Sequence, residues 1–398
     1  MASSEWRKRV EALGLNPDRD ANGFEVIVTT NSLEEYKRWF DIPQPPNVAT
    51  STLTPARVAK SPPALLQRHI TDYITGESAI LDAEVIEALD QRVGYYFAHV
   101  SAQAKRIVTK EDPLLITSNT AIREFDEIEI RDGGYIKITV PCSFHCNVLT
   151  KTFSSKASSV AGQADQMYDV LVVGRSGAHA KDGNSPQPPA EARAGDGAKC
   201  DCPNGGFIGH PASNGSPGID GGKGGDATAP GEDGEDAPIV FFTVAKDLPK
   251  SISFLMQGGN GGTGGDGGNG AKGGKGGAGG AGIKCGVHFA QGALGGRGGK
   301  GGNGGNGSKG GDGGDGGKLT ILVPDHQKGN VIVTVGAAPG GAKGNRGIRG
   351  KGGDGGNAGP NGGQPGENGP PGDSDGQDYQ PGKPGEKGSA TVNGVPVD

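Results

Sequence analysis

The side chains of this sequence that can do chemistry are thiols and imidazoles set inside glycine-rich segments. Cys200, Cys202 and Cys285 lie there, and His210 and His288 follow shortly after them. Thiolates and imidazoles bind zinc, and paired thiols form disulfides. The Cys-x-Cys spacing with remote partners differs from the paired Cys-x-x-Cys of zinc modules. Three alternatives stay open: free thiols, a disulfide among these cysteines within or between molecules, and a metal site, for which we assign no ligands.

The remaining cysteines belong to the stretch CSFHC, in which His145 lies between Cys142 and Cys146. Alternating apolar residues around this stretch predict β-structure, so we expect these thiols to be buried in a core. No Ser/His/Asp motif, HExxH motif or carboxylate pair stands in a pocket-like context. Glycine motifs similar to phosphate loops arise from composition, because none is followed by Gly-Lys-Ser/Thr between a strand and a helix. The sequence therefore predicts a protein that is not an enzyme, with no catalytic residues and no cofactor.

Composition narrows the class of protein further. The chain has 398 residues, including 78 glycines and 27 prolines, and only 5% of its residues are aromatic. Its net charge of -6, with basic and acidic residues interspersed, argues against a general binder of nucleic acid or anionic membranes. No apolar run is long enough for a membrane span. Because the N-terminus lacks the apolar segment of a secretory signal, we expect cytoplasmic synthesis. An intracellular inclusion and a released particle stay open as final locations.

Residues 1–115 are predicted to form a helical domain. Ser32 begins a capping box, and the apolar spacing around residues 4–13 and 62–73 is typical of helices. A longer helix is predicted over residues 78–104. The proline-rich stretch 42–63 is predicted to be a linker or an extended arm that docks on a neighbouring subunit.

Residues 116–173 are predicted to form a β-strand region. Apolar residues alternate with polar ones from Ile128 to Val140, and the segment 132–134 suits a hairpin turn between two strands. Further short strands recur from residue 168 to the end of the chain. We expect the junctions 247–250 and 324–330 to be turns between antiparallel strands.

Long glycine tracts separate these later strands. In 258–282 and 295–317, glycine fills two of every three positions, and in 341–362 it returns at every third position. A period of three matches the polyproline II helix, and all-glycine faces would allow neighbouring helices to approach closely. The tracts fall into outgoing and returning pairs of similar length. They therefore predict ordered hairpins rather than flexible linkers.

The predicted fold class follows from these three regions. We expect a multi-domain chain with an N-terminal α-helical region, a central β-layer, and a C-terminal bundle in residues 174–398. That bundle would consist of about six polyglycine II helices in three hairpins rooted in β-strands.

The tips of the predicted hairpins break the triplet pattern with apolar, aromatic and thiol residues. Such residues at exposed ends suggest a contact surface, and capping of the bundle is the alternative. The candidate contact residues are Cys200, Asp201, Cys202, Phe207, Ile208, Ile283, Cys285, Val287, His288, Phe289, Leu294 and Tyr379.

The C-terminal half resembles the glycine-rich bundles of snow flea antifreeze proteins and of the tail-tip adhesins of certain T4-like phages. The residues that carry the resemblance are the runs 258–282, 295–317 and 341–362. The adhesin resemblance implies loops that bind host-surface receptors, and the antifreeze resemblance implies a flat Ala/Thr-rich face for ice. Here the outward positions hold Asn, Asp, Lys and Arg, which departs from an ice-binding face.

Two functions are compatible with this sequence. The first is a noncatalytic structural protein that assembles with copies of itself into an ordered particle, filament or crystalline inclusion, through helical-domain and tip contacts. The alternative is an adhesin that presents its tips to a cell-surface receptor or glycan. We expect a homo-oligomer, no nucleic acid partner and no membrane span.

Overall fold

The chain winds between two mainly parallel β-sheets, an arrangement that we call the coil. Helices pack at its N-terminal end. The computed structural model describes residues 2–20, 22–40, 53–74, 81–117, 121–152, 168–201 and 207–397. Within these ranges the chain forms five α-helices and seventeen β-strands. The architecture is mixed α/β and is dominated by one eight-stranded sheet.

The helices lie in the first quarter of the chain. They are α1 (Ser4–Ala12), α2 (Leu33–Phe40), α3 (Pro55–Lys60), α4 (Pro63–Ile74) and α5 (Ala83–Val93). Capping explains where two of them begin, because the Ser3 hydroxyl accepts a hydrogen bond from the Trp6 N–H and the Ser32 hydroxyl accepts one from the Glu35 N–H. Ser32 thus caps α2 as predicted, but the reciprocal half of the capping box is not formed, because the Ser32 N–H donates to the Thr30 hydroxyl instead of the Glu35 carboxylate. Apolar helix faces pack into one cluster, to which Trp6, Leu33, Val58 and Leu89 contribute.

The long sheet contains eight strands. They are β1 (Asn22–Thr30), β2 (Tyr96–Val108), β4 (Ala121–Arg131), β6 (Cys142–Thr152), β10 (Val240–Asp247), β14 (Lys318–Leu322), β16 (Ser389–Val392) and β17 (Val395–Val397). They lie side by side in that order. The six inner strands are parallel to one another, whereas β1 and β17 close the two edges in antiparallel orientation.

The short sheet contains five parallel strands. They are β3 (Leu114–Ile116), β5 (Ile136–Ile138), β7 (Val170–Val173), β11 (Ile252–Gln257) and β15 (Val331–Val335). They lie in the same sequence order as the long-sheet strands. From β2 to β16 the chain therefore alternates between the two sheets, placing one strand in each before it moves on by one strand spacing.

The core between the sheets is built from alternating apolar residues of these strands. Phe144 and Phe242 stack in neighbouring long-sheet strands with ring centroids 4.3 Å apart, and Phe254 of the short sheet meets Phe242 edge-on at 5.1 Å. All three side chains are buried. Full burial of such a side chain is worth about 1.5–3 kcal/mol, so this aromatic column is a main source of cohesion in the coil.

Glycine tracts leave the coil at three connections from the short sheet to the long sheet. We call them tracts 1 to 6 and together the glycine array; their residues are 174–198, 213–237, 258–282, 292–317, 336–360 and 363–388. Tracts 1, 3 and 5 run outward after β7, β11 and β15. Tracts 2, 4 and 6 return to β10, β14 and β16.

Backbone hydrogen bonds join the tracts at every third residue. In tract 3, the Gly273 N–H donates to the Lys351 carbonyl of tract 5 at 2.9 Å, and the Gly274 N–H donates to the Ile219 carbonyl of tract 2 at 2.7 Å. The Gly299 N–H of tract 4 donates to the Gly274 carbonyl at 2.8 Å. Tracts 1, 3 and 5 thus form one layer, tracts 2, 4 and 6 form a second, and neighbouring layers run in opposite directions.

The expected fold class is wrong. The chain is a mixed α/β fold with an eight-stranded, mainly parallel sheet, and not an N-terminal helical region followed by a polyglycine II bundle on a β-layer. Strands β1 and β2 lie within the region expected to be helical. The glycine tracts are long connections between a strand of the short sheet and the next strand of the long sheet. They therefore form part of the same alternation between the two sheets.

Several local predictions are also wrong. Residues 96–104, expected to be the last part of a helix, lie in β2, because the alternation of small buried side chains there finds a sheet partner on each side. β4 and β5, expected to form a hairpin about residues 132–134, belong to different sheets. The junctions 247–250 and 324–330 likewise connect the two sheets and do not join antiparallel neighbours. Of the predicted arm, residues 42–52 lie outside the described residues, and 55–60 form α3.

Candidate functional site

Two short hairpins lie side by side at the outer end of the glycine array, and we call these four strands the tip. They are β8 (Lys199–Asp201) with β9 (Phe207–His210), and β12 (Ile283–Cys285) with β13 (His288–Ala290). The first hairpin joins tract 1 to tract 2, and the second joins tract 3 to tract 4. Because the tracts are hydrogen-bonded along their length, the two hairpins are brought to the same end of the array.

The second hairpin has a tight two-residue turn. Cys285 pairs with His288, so that Gly286 and Val287 form the turn itself. Gly286 has a φ of 58°, in the left-handed region that glycine adopts without steric cost. One step back, Lys284 pairs with Phe289 and both side chains are exposed. The local pairing thus places an apolar apex next to an aromatic ring and a lysine.

A disulfide between Cys200 and Cys285 joins the two hairpins. Their Cα atoms are 5.7 Å apart, and 85 residues of sequence separate them. Cys285 is buried beneath the hairpins. The cross-link therefore fixes the outer ends of tracts 1 and 2 to those of tracts 3 and 4, at the point farthest from the sheets.

The two other described cysteines stay free thiols in the coil. Cys142 and Cys146 both lie in β6 and both are buried. Burial raises the pKa of Cys142 to about 12 and also raises that of Cys146. At neutral pH both thiols are protonated and unreactive, so the redox chemistry of the described residues lies at the tip.

The tip exposes apolar side chains to solvent. Val287 is 94% exposed, Phe289 is 55% exposed, and Leu294, at the start of tract 4, is 50% exposed. Lys199 and Lys284 are exposed beside them. Large apolar side chains held this far into solvent at one end of a molecule are typical of a contact surface.

Other predicted contact residues fall in different places. Ile208 and Ile283 are half-buried in β9 and β12, and His288 is exposed. Asp201 and Phe207 lie in β8 and β9, but their side chains are not among the described ones, and Cys202 lies outside the described residues.

The third hairpin of tracts differs from the expectation. Its turn is at Pro360–Gly362, where Asn361 and Gly362 have φ values of 68° and 104°. Tyr379 therefore does not lie at the tip but within tract 6, on the way back to β16. The regular return of glycine at every third position ends at Gly362, which marks this turn in the sequence, whereas the expectation that Tyr379 is a tip residue is wrong.

Sequence reasoning missed a buried ionic network that holds α1 on the long sheet. The Arg9 guanidinium donates to both Glu124 carboxylate oxygens, at 3.1 and 2.8 Å, and His145 Nδ1 lies 3.2 Å from the same carboxylate. Glu124 is 1% exposed. Burial opposes its ionisation, but the adjacent His145 ring and the hydrogen bonds from Arg9 outweigh burial and lower its pKa. The network joins helix to sheet, and Arg9 and Glu124 also line a surface pocket together with Lys8, Arg38 and Trp39.

Neither metal ligands nor a membrane span are evident in the part of the chain that the structure describes. No group of three or more His, Cys, Asp or Glu side chains there is arranged to hold a metal ion. None of the described helices combines the length and apolar character needed to cross a bilayer.

Comparison with known proteins gives little. No family model and no curated protein matches the chain. Among solved structures it is similar to a springtail antifreeze protein from Granisotoma rainieri, described as a nine polyproline type II helical bundle whose crystal waters match the ice lattice. The two are 22% identical over 44% of this chain and 95% of that chain, with a TM-score of 0.08. A likeness at that TM-score carries no argument about fold or function.

Proposed function

We propose that this protein is a noncatalytic binding protein that presents its tip to a partner surface. The observation that carries the proposal is the 94% exposure of Val287 on a hairpin that a disulfide and the glycine array both hold in place. Burial of this apolar side chain against a partner would be favourable, because it removes the side chain from water. Cys200 and Cys285, the tip thiols among the described residues, are joined to each other and so supply no free nucleophile there.

The glycine array acts in this proposal as a stiff spacer. Tract 3 spans residues 258–282, and at about 3.1 Å per residue an extended segment of that length reaches roughly 78 Å. Its N–H groups donate to tracts on both sides, which fixes its direction relative to the sheets. Order in the spacer reduces the entropy lost when the tip binds.

The disulfide places the tip in an oxidising setting under this proposal. Disulfides persist outside the cell and in oxidising compartments, and are rare where thiols are kept reduced. Cys200 and Cys285 lie at the surface end of the array, whereas the reduced Cys142 and Cys146 are in the core. A released or surface-displayed protein can have both a disulfide at its exposed end and free thiols protected in its core.

The test is a tip-dependent loss of binding by the full-length chain. Labelled protein is applied to panels of intact bacterial and animal cells and to a glycan array, beside Val287→Asp and the matched control Ile348→Asp. Ile348 is 64% exposed in tract 5, away from the tip. We expect Val287→Asp to abolish binding to the surface that the unchanged protein recognises, with Ile348→Asp retaining it. Equal binding by all three proteins, or no bound surface in any panel, would contradict the proposal.

Assembly with copies of itself is a second candidate, and the edge of the short sheet favours it. Among the described residues, β15 has a strand partner on one side only, and Ile332 on it is 54% exposed. Unpaired edges of this kind accept further strands. Light scattering after size exclusion separates the candidates, because a monodisperse monomer at micromolar concentration is incompatible with assembly as the function.

The outer tracts of the array are poor edges for such assembly. Proline cannot donate a backbone hydrogen bond, and edge segments that contain it resist further pairing. The outer tracts 1 and 6 carry the prolines Pro186, Pro188, Pro189, Pro365, Pro370, Pro371, Pro381 and Pro384. The inner tracts 3 and 4 contain none. This distribution favours presentation of the tip over growth of the array from molecule to molecule.

A further inference from the structure

The exposed face of the tip combines an apolar apex with basic side chains. Val287 forms the apex, and the cross-strand partners Lys284 and Phe289 lie directly behind it on one exposed face. On the adjoining hairpin, Lys199 pairs with His210, and both are exposed. Peripheral membrane proteins bind a bilayer in this way: apolar side chains enter the interface, and nearby lysines contact anionic headgroups.

From this arrangement we propose that the tip docks on an anionic lipid surface, with Val287 and Phe289 entering the headgroup region and Lys199 and Lys284 contacting acidic headgroups. The inference rests on the proposed function, since it names the partner class of the same tip. The tight turn at Gly286 suits such insertion, because it carries few backbone polar groups into the interface.

Charge on the tip differs from charge on the rest of the molecule. The four tip strands contain two lysines and one acidic residue, Asp201, whereas the whole chain has a net charge of -6. Electrostatic interactions between exposed charges are largely screened beyond about 8 Å at physiological salt. The glycine array places the charges of the helices and sheets at many times that distance from the tip, so an anionic surface responds to the tip and to the adjoining ends of the tracts.

The sides of the array also expose apolar residues, such as Ile219 and Ile348, but differ from the tip in how their charges are arranged. The exposed charges of the array are largely arranged as pairs of opposite sign, such as Lys272 with Asp354 at 2.7 Å and Lys300 with Asp373 at 2.6 Å. A glycan would explain the lysines but leaves Val287 without a role. The combination of an apolar apex and a basic flank therefore suits a lipid surface better than it suits a glycan.

The experiment is co-sedimentation of the full-length protein with vesicles of phosphatidylcholine alone and of phosphatidylcholine with phosphatidylglycerol. We expect binding to the anionic vesicles, which weakens as salt is raised, and little binding to the neutral ones. Lys284→Gln is expected to lower the affinity about fivefold, since a lysine near such a surface contributes about 1 kcal/mol. Val287→Asp is expected to lower it more than tenfold. The controls Lys351→Gln and Ile348→Asp lie on the array and are expected to bind as the unchanged protein does.

Three results would overturn the inference: no binding to anionic vesicles, equal binding to neutral and anionic vesicles, or equal losses in the tip variants and the array controls. Thermal unfolding of each variant shows whether it folds, and the exposure of both tip residues makes misfolding a poor explanation of a loss. If vesicles are not bound while tip-dependent binding to cells persists, the lipid inference fails and the proposed function stands, with a protein or glycan as partner. If cells are not bound through the tip either, both fail.

Discussion

The sheets and the glycine array are both held by backbone hydrogen bonds, but they make opposite use of side chains. Between the sheets, large side chains such as Phe144 and Phe242 fill the space and exclude water. Between the tracts there is no such space, because a Cβ atom placed on Gly299 would lie 2.1 Å from the Ile219 carbonyl oxygen. One region therefore depends on what its side chains bury, and the other depends on their absence.

Within the array, glycine content follows the number of neighbouring tracts. Tract 3 and tract 4 each hydrogen-bond to four other tracts, and glycine fills two of three positions in both. Tract 6 contacts only two tracts, and glycine there returns about once in three positions, with proline between. The exceptions in the inner tracts are informative: Ser308 occupies a glycine position, and its hydroxyl accepts a hydrogen bond from the Gly265 N–H at 2.8 Å.

The largest effect is expected from a methyl group inside the array. In Gly273→Ala, the new Cβ would lie 2.0 Å from the Gly299 carbonyl oxygen and 2.8 Å from the Gly353 nitrogen. Both neighbours are backbone atoms that cannot move without breaking their own hydrogen bonds. We expect a loss of about 5 kcal/mol or more in the free energy of unfolding, measured by denaturant titration.

The matched control is Lys275→Ala, in the outward position of the same tract. It should change stability by no more than about 0.5 kcal/mol. Similar losses in both variants would mean that close approach of the tracts is not what stabilises the array.

Removal of a large apolar side chain is expected to matter in the sheets and not at the tip. Phe242→Ala takes away the ring that stacks on Phe144 and meets Phe254. We expect a loss of about 3–5 kcal/mol, from lost burial and the cavity left behind. Phe289→Ala, on the exposed tip, is the control and should leave the denaturation midpoint unchanged. A comparable loss in the control would show that the tip packs against the array.

Acid is expected to loosen the N-terminal helices before it affects the array. The pKa of Glu124 in the folded protein is below its ordinary value of 4.5, so its ionised form stabilises the fold at higher pH. That contribution is lost as pH falls below about 4.5 and through the folded pKa. The fluorescence of Trp6 and Trp39, both in the N-terminal cluster, reports this step.

Glu124→Gln is the variant that isolates the effect. It should lower stability at pH 7, because Arg9 loses its charged partner, and should flatten the dependence of the fluorescence transition on pH. An unchanged pH profile in Glu124→Gln would assign the acid sensitivity to another group, with Asp126 the next to examine, since its pKa is also lowered.

A smaller effect is expected from the side chains that bridge parallel tracts. Asp266 accepts hydrogen bonds from the backbone N–H of Asn345 at 2.7 Å and from its side-chain amide at 3.1 Å. Asp266→Ala should cost about 1 kcal/mol, the usual net value of a hydrogen bond. Asp266→Asn keeps an acceptor oxygen and should be close to neutral in denaturant titration. Equal losses in both would assign the effect to charge rather than to the acceptor.

Parts of this fold could be predicted from the sequence because their signals are local. The cap at Ser32 and the alternation in 331–335 each fix an element without knowledge of its neighbours. The glycine spacing is also local, and the hydrogen bonds of the array repeat at the same interval of three residues. The exposed residues around Val287 could be singled out because they interrupt that interval.

The sheet arrangement could not be predicted, because alternation does not reveal which strand lies alongside. β4 and β5 have the pattern of a hairpin, yet each pairs with strands of its own sheet. The Arg9–Glu124 pair joins distant segments and has no signature in sequence. The choice of Cys285 as the partner of Cys200 likewise depends on how the tracts align, which the spacing of three cysteines leaves open.

Amide hydrogen exchange of the full-length protein, followed by NMR, tests most directly whether the array is held by backbone hydrogen bonds. In inner tract 3, the N–H groups of Gly270 and Ala271 both donate to other tracts. In tract 5, Gly347 donates to Gly305, whereas the Arg346 N–H has no hydrogen-bond partner among the described residues. We predict slow exchange at Gly270, Ala271 and Gly347 and fast exchange at Arg346. Fast exchange at all four would contradict the account.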